Sequence, residues 1–470
     1  MILTPEDPNQ VEFSCRSELV WDEPLVQTIS SVVNNLDLEE LYSRYSESGR
    51  SFYDPSMLLK VLFFGYCDGV RSSRSLYKHI CYDIRYRYFC GSLRPDFRTL
   101  NRFRKDNLDL LSVYFAEIVL LCHQTGLLDT SLLCLDGTKL RASANGRGKN
   151  KKYFRDRLSK CFRSRLKDDI KAEESGYESS DTSDEASQVS DPDARYMKTS
   201  EGGKRLSYNS QIMVDRNQII VAADVSNNAD DSIQFRGMVE KCRDILPVKI
   251  NKIAADGGYY SGKNLKYAAT EGFDLYLPVA RNGLVPDRRY HRDAFEHDKK
   301  RDRFLCPEGH YLHHQTIRIR NGITNNIYSG TAVTCGRCPS RAKCTKRRVR
   351  QLQISEHWLY ERQMTAKLKT EHGRFIYGQR KHLVEPVFGN IKFNFGFVRY
   401  ALRTIRKVRG EFILFCIAHN LKKMAKYLNG SLGAIFSKSE SLWAYLLCLL
   451  RILESMSFYY RTPIIVLRKK

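Results

Sequence analysis

The chain has 470 residues, with 77 Lys and Arg against 53 Asp and Glu, for a net charge of +24. A 42% hydrophobic and 28% charged composition excludes a fibre or a wholly disordered chain, and at roughly 100–200 residues per domain it fits two to four domains. A cationic surplus of this size points to a phosphate-rich partner, less readily to an anionic membrane surface.

The first residues, MILTPEDPNQVEF, show no basic region ahead of an apolar run, so no secretory signal is expected. Residues 1–130 read as a helical DNA-binding domain. Asp54-Pro55 before SMLLKVLFFGYC is a helix start, with Asp as N-cap and Pro at the first helical position. Gly69–Ser73 reads as a turn, with Ser73 capping a second helix. After Arg94-Pro95-Asp96, residues 97–126 carry Leu100, Phe103, Leu108, Leu111, Phe115 and Ile118 at helical spacing. Arg98, Arg102, Arg104 and Lys105 crowd the first turns. Short helices with arginines at a helix start suit a helix-turn-helix-like DNA reader. An ordinary bundle with a basic edge gives the same pattern.

From 131 the period changes, and residues 131–282 read as the first part of an α/β domain with a mixed sheet. Leu132–Asp136, Ser207–Val214, Gln218–Asp224, Val248–Asp256 and Asp274–Val279 are strand-like, and Asp231–Leu246 is helical. A charged linker at 146–205 interrupts this domain. It is basic over 146–167 and rich in Ser, Asp and Glu over 168–194, a composition that cannot build a core.

Two of the apolar runs, LLCLDGTK and KIAADGGYY, place Asp136 and Asp256 before glycine. An acid at a strand end, with room for a ligand to approach the backbone, is a candidate site. Asp-Gly also simply opens turns. Glu385, in YGQRKHLVEPVFGNIK, is the one acid between Glu371 and Glu411. At helical spacing Tyr377, Lys381, Glu385 and Lys392 share a face, although Pro386 would kink that helix.

Residues 283–360 read as a basic Cys-rich β insertion, and 361–430 as the last part of the α/β domain. Residues 281–410 hold 29 Lys and Arg against 10 Asp and Glu, a surplus of +19. Most of the 14 cysteines read as free thiols of a reducing cytosol. Cys306, Cys335, Cys338 and Cys344 differ. Their spacing suits a closed tetrahedral Zn²⁺ site, with His310, His313 or His314 able to replace one ligand. His419-Asn420 reads as part of a packed helix, with a catalytic pair as the alternative. The tail 431–470 carries no functional motif.

Taken in order, LDGTKLRA, GGKRLSYNSQIMVD, IIVAADVSNNADDS, ADGGYYSG and RGEFILFCIAHNLKK resemble the DDE-type transposases of bacterial insertion sequences. So does the N-terminal YDPSMLLKVLFFGY and FRTLNRFRK block. The resemblance spans about residues 40–425. In the relevant branch the third acid lies in a signature of Tyr, two residues, Arg, three residues, Glu, six residues, Lys. Tyr377, Glu385 and Lys392 match it. Arg380 keeps the gap after Tyr377 and Lys381 the gap before Glu385, so the Arg place is open between them.

The resemblance implies an RNase H-like catalytic core in which Asp136, Asp256 and Glu385 bind two Mg²⁺ ions, or Mn²⁺ in their place. Tyr377, Arg380 or Lys381, and Lys392 would contact DNA phosphates, as would Arg98 and Arg102 from the N-terminal domain. Implied partners are double-stranded DNA at the element ends and target, and further copies of the chain as a homodimer or higher oligomer. The implied location is the bacterial cytoplasm, at the nucleoid. The residues alone also admit a related nuclease that cuts without joining, or a non-catalytic zinc-containing DNA-binding protein.

Overall fold

The computed structural model of the chain describes residues 20, 22–45, 52–144, 190–199, 202–279, 288–320 and 322–428. Most of the expected linker at 146–205 and the whole tail at 431–470 lie outside the described residues. The chain divides into two compact units. One takes in the residues up to 229, those at 237–249 and those from 382 onward; the other takes 230–236 and 250–381.

The first unit begins with helices α1 (Pro24–Asn34), α2 (Glu39–Ser43), α3 (Pro55–Cys67), α4 (Ser73–Tyr82), α5 (Ile84–Cys90), α6 (Phe97–Asp106) and α7 (Leu110–Gln124). Asp54 caps α3 as its sequence suggests, accepting from the backbone N–H of Ser56 and Met57 at 3.1 and 3.2 Å. Asp96 caps α6 through the N–H of Thr99 at 2.7 Å. Ser73 is the first residue of α4, and Ser72 is its N-cap. Residues 97–126 do not form one helix. The Asn107 amide donates to the Phe103 carbonyl at 2.8 Å and closes α6 before α7 begins, the local competition for backbone groups that makes Asn a helix breaker.

Strands β1 (Leu133–Arg141), β2 (Arg195–Lys198), β3 (Lys204–Val214) and β4 (Ile220–Ser226) follow. β3 pairs antiparallel with each of the others. Helix α8 (Gln234–Ile245) starts in the second unit's residues and ends in the first's.

The second unit holds β5 (Lys252–Ala255), α9 (Gly262–Glu271) and β6 (Asp274–Tyr276), with β5 and β6 parallel. Beyond them β7 (Glu296–Asp298), β8 (Arg303–Leu305), β9 (Tyr311–Arg320), β10 (Ile323–Ser329) and β11 (Gln351–Ser355) make an antiparallel sheet in the order β11-β10-β9-β8-β7. Its core is Phe295, Phe304, Leu312, Tyr328, Leu352, Ile354 and Trp358. Short helices α10 (Ala332–Gly336) and α11 (Arg341–Cys344) lie between β10 and β11. Then α12 (Trp358–Lys369) leads to α13 (Glu371–Gly389), which runs on into the first unit's residues.

The last helix, α14 (Ile405–Leu428), packs in the first unit against α1, α3, α7 and β4. Cover on several sides explains why FILFCIAH has no polar face. Its polar residues are structural. Asn420 accepts from the Ile220 N–H and donates to the Ile220 carbonyl, both at 2.9 Å, as a neighbouring strand would. Glu411 accepts from the backbone N–H of Ala401 and Leu402. The chain has the α/β make-up its sequence suggests. No described helix is long and apolar enough to cross a membrane.

Candidate active site

Asp136 lies within β1 and not at its end. The strand continues because β3 keeps pairing with it, from Asp136 opposite Ile212 to Arg141 opposite Ser207. The Asp-Gly step is therefore not a turn. A Cβ on Gly137 would come within 2.4 Å of the Gln211 amide, so glycine there makes room for a buried side chain across the strand pair. Asp136 is half-buried, and its Oδ1 accepts from the Gly137 N–H at 2.9 Å.

Lys392 comes to the same place from far along the chain. Burial lowers its pKa, and the nearby charge of Asp136 opposes that shift. Lys392 lies beyond α13, in the π-helical turn Asn390–Asn394, whereas Tyr377, Lys381 and Glu385 belong to α13 itself. Those three do lie at four-residue spacing on α13, which continues as helix through Pro386. Glu385 and Lys381 are exposed, and Tyr377 and Arg380 are half-buried. The Arg380 guanidinium lies 5.9 Å from the centre of the Tyr377 ring.

Asp256 belongs to the second unit and does stand where its sequence suggests, directly after β5. Its Oδ1 accepts from the Gly258 N–H at 2.9 Å. Asp231 is a neighbour that the sequence reading did not single out. A Cβ on Gly258 would lie 3.0 Å from Asp256 Oδ1 and 3.2 Å from Asp231 Oδ2, so two carboxylates converge on that glycine. The only hint in sequence was its place in SNNADDS.

The four cysteines are brought together. Cys306, Cys335, Cys338 and Cys344 line one pocket of the second unit, with His310 at its wall. Burial raises the Cys344 thiol pKa, Arg350 opposes this, and the three other cysteines raise it further. The His310 backbone N–H donates to Cys306 Sγ at 3.2 Å. His313 and His314 are exposed on β9.

Arg98 and Arg102 are exposed on α6 and line an open groove of the first unit. Arg71, Arg74, Lys105 and Arg399 line it too, and of these four the sequence groups only Lys105 with Arg98 and Arg102. The Phe97 ring has Arg74 and Arg98 guanidinium groups 5.4 and 5.8 Å from its centre. Elsewhere in this unit Asp68, His79 and Asp83 approach one another closely enough to share a cation. Arg85 already bridges the two carboxylates, at 3.3 and 2.8 Å, so the group is an ion-pair cluster.

The family profile described as "Transposase DDE domain" matches residues 305–425, and that described as "Transposase domain (DUF772)" matches residues 15–106. The two matches indicate a DDE-type transposase of an insertion sequence. No curated protein matches the chain. In this transposase the DDE-domain match takes in Glu385, Lys392 and the four clustered cysteines. The DUF772 match takes in Arg98 and Arg102. Asp136 and Asp256 fall outside both matched ranges.

Proposed function

We propose that this transposase cuts DNA at the terminal inverted repeats of its element and joins the freed end to target DNA. Asp136, Asp256 and Glu385 are its catalytic acids, in a core of the RNase H-like kind. The observation that carries this reading is the electrostatic interaction of Asp136 with Lys392, which links the first acid with the last residue of the Tyr-Arg-Glu-Lys signature. The chain order of three antiparallel strands (β1, β3, β4), a helix, then two parallel strands is also the succession of an RNase H-like sheet.

The three carboxylates are hard oxygen donors, half-buried or exposed, as Mg²⁺ prefers. When bound, a pair of such ions activates the attacking oxygen and neutralises the leaving one. Lys392 sets a positive charge beside Asp136 and steadies a scissile phosphate there. Tyr377 and Arg380 or Lys381 hold flanking phosphates, contacts that position a strand without reading its sequence. Hydrolysis adds the oxygen of water at phosphorus and releases a 3′-hydroxyl. In joining, that hydroxyl loses its proton, attacks a target phosphodiester and displaces the target's own 3′-oxygen. Arg98 and Arg102 hold the duplex at the N-terminal groove, and the protein works as a dimer or larger assembly because two ends must meet.

The thiol pocket takes a structural Zn²⁺. Four cysteines lining one pocket offer a full set of thiolate donors to one divalent cation, and soft sulfur donors suit zinc.

The test uses a linear duplex taken from the DNA that encloses this chain's own gene, with Mg²⁺ and a target plasmid. Asp136→Ala, Asp256→Ala and Glu385→Ala are each expected to abolish cleavage while DNA binding stays. A variant that still cuts removes its residue from the site. Wild-type cleavage with no joined product would reduce the function to that of a nuclease.

A further inference from the structure

Pro386 follows Glu385 directly, and α13 passes through it. In an α-helix the carbonyl of residue 382 accepts from the N–H of residue 386. Proline has no N–H, so the His382 carbonyl loses its helical donor one turn before the third acid. That carbonyl instead accepts from the side-chain amide of Gln218, at 3.1 Å.

Gln218 is held from several directions. It lies in the turn between β3 and β4, where its own N–H donates to the Asp215 carbonyl at 3.1 Å. Its backbone carbonyl accepts from His419 Nε2 at 2.8 Å. Its Oε1 accepts from Lys423 Nζ at 2.8 Å. An ammonium only donates and a carbonyl only accepts, so the two ends of the Gln218 amide are fixed and cannot be exchanged. His419 is fixed in the same way. With Nε2 donating to Gln218, its Nδ1 accepts from the Asn390 amide at 3.0 Å, in the π-helical turn that carries Lys392.

The backbone of Gln218 adds a second observation. Its φ is +64°, a conformation that Gly or Asn adopts more readily than a long side chain. The turn alone would favour one of those residues. A glutamine there, with every polar group engaged, points to a task for its side chain.

We propose that Gln218 is a positioning residue for the third acid: it supplies the hydrogen bond that Pro386 withholds and so fixes the turn of α13 that presents Glu385. With His419 and Asn390 it clamps the segment on both sides of Glu385, from His382 to Asn390. The inference rests on the reading of Glu385 as a catalytic acid.

The test measures cleavage of the same duplex at saturating DNA over a range of Mg²⁺ concentration. It compares wild type, Glu385→Gln, Gln218→Glu, Gln218→Ala, Pro386→Ala and the double variant Gln218→Ala/Pro386→Ala. Gln218→Glu keeps the side-chain volume and the Lys423 contact, now as an ion pair, and replaces the donor facing the His382 carbonyl with an acceptor oxygen, so it separates positioning from loss of packing. Both Gln218 variants are expected to cut about ten- to a hundred-fold more slowly, with DNA affinity unchanged and more Mg²⁺ needed for half-maximal rate. Pro386→Ala restores an N–H to the helix. The double variant is therefore expected to return to within about threefold of Pro386→Ala alone. If Glu385→Gln is inactive and Gln218→Glu cuts like wild type, the positioning role is wrong. It is equally wrong if the double variant is no faster than Gln218→Ala. Full cleavage by Glu385→Gln would instead overturn the reading of Glu385 itself, whatever the Gln218 variants do.

Discussion

His419 and Asp215 are buried groups of the first unit that titrate in opposite senses. Burial lowers the His419 pKa to about 4, against about 6.5 in an unfolded chain. Burial raises that of Asp215 to about 6, partly offset by backbone N–H groups that donate to it, against about 3.9 unfolded. As pH falls from 6.5 towards 4 the unfolded chain takes up a proton at His419 first, which destabilises the fold. Over much of the same range the folded chain takes up a proton at Asp215 first, which stabilises it. Each effect is on the order of 1–2 kcal/mol at pH 5, so they largely cancel. His419→Gln removes one side of the balance while leaving a group that can donate and accept. Its apparent melting temperature, relative to wild type, is expected to rise by a few degrees between pH 7 and pH 5. Parallel melting curves for the two proteins across that range would show that His419 is not held neutral. At this scale the sequence was informative where a residue acts locally. The AHN tripeptide reads as a packed helix, and Asp54 and Asp96 cap the helices they precede. It was silent where a residue acts through a distant partner, as Gln218 does at His382.

Among the elements, the antiparallel sheet β7–β11 and its short helices show what four cysteines add. The sheet's apolar core is a handful of side chains, and Cys306 and Cys344 pack against it. Residues 311–320 of β9 are exposed apart from Leu312, so this strand buries little on either of its faces. A small core of this kind gains from a metal staple. Purified protein is expected to hold about one zinc per chain, by elemental analysis, and Cys338→Ser to lose it and become more susceptible to proteolysis between 296 and 355. Reduced, freely reactive thiols with no bound zinc would remove the staple. The gathering of the cysteines was partly legible, because Cys335, Cys338 and Cys344 lie within ten residues of one another. The length of β1 was not, because Asp136-Gly137 looks like a turn until Gln211 is seen to need the space above the glycine. Pro386 misleads in the same way. Read alone it predicts a kink, and the donor that lets α13 continue lies on another hairpin.

For the whole molecule, the charge of +24 invites a count along the chain, and that count places most of the surplus at 281–410. The open groove of the first unit is assembled differently. Arg71, Arg74, Arg98, Arg102 and Lys105 come from the N-terminal helices and the turn before α4, and Arg399 from the segment before α14. A running count cannot see such a surface, because it sums neighbours in sequence and the groove gathers neighbours in space. The two views make different predictions for DNA binding. Each phosphate neutralised contributes about 0.9 to the slope of log affinity against log salt for duplex DNA. If the groove holds the duplex, Arg98→Ala/Arg102→Ala is expected to lower that slope by nearly 2, and to weaken binding similarly for DNA of any sequence. Glu385→Gln removes no cation and is expected to leave the slope unchanged or slightly steeper, although it stops cleavage. Titrations of a fluorescent duplex between about 50 and 200 mM salt resolve a change of this size. An unchanged slope in the double arginine variant would move the duplex off the groove and onto the basic residues of 281–410. The loss of cleavage in Glu385→Gln would be unaffected by that result, so the DNA track and the acids can fail independently.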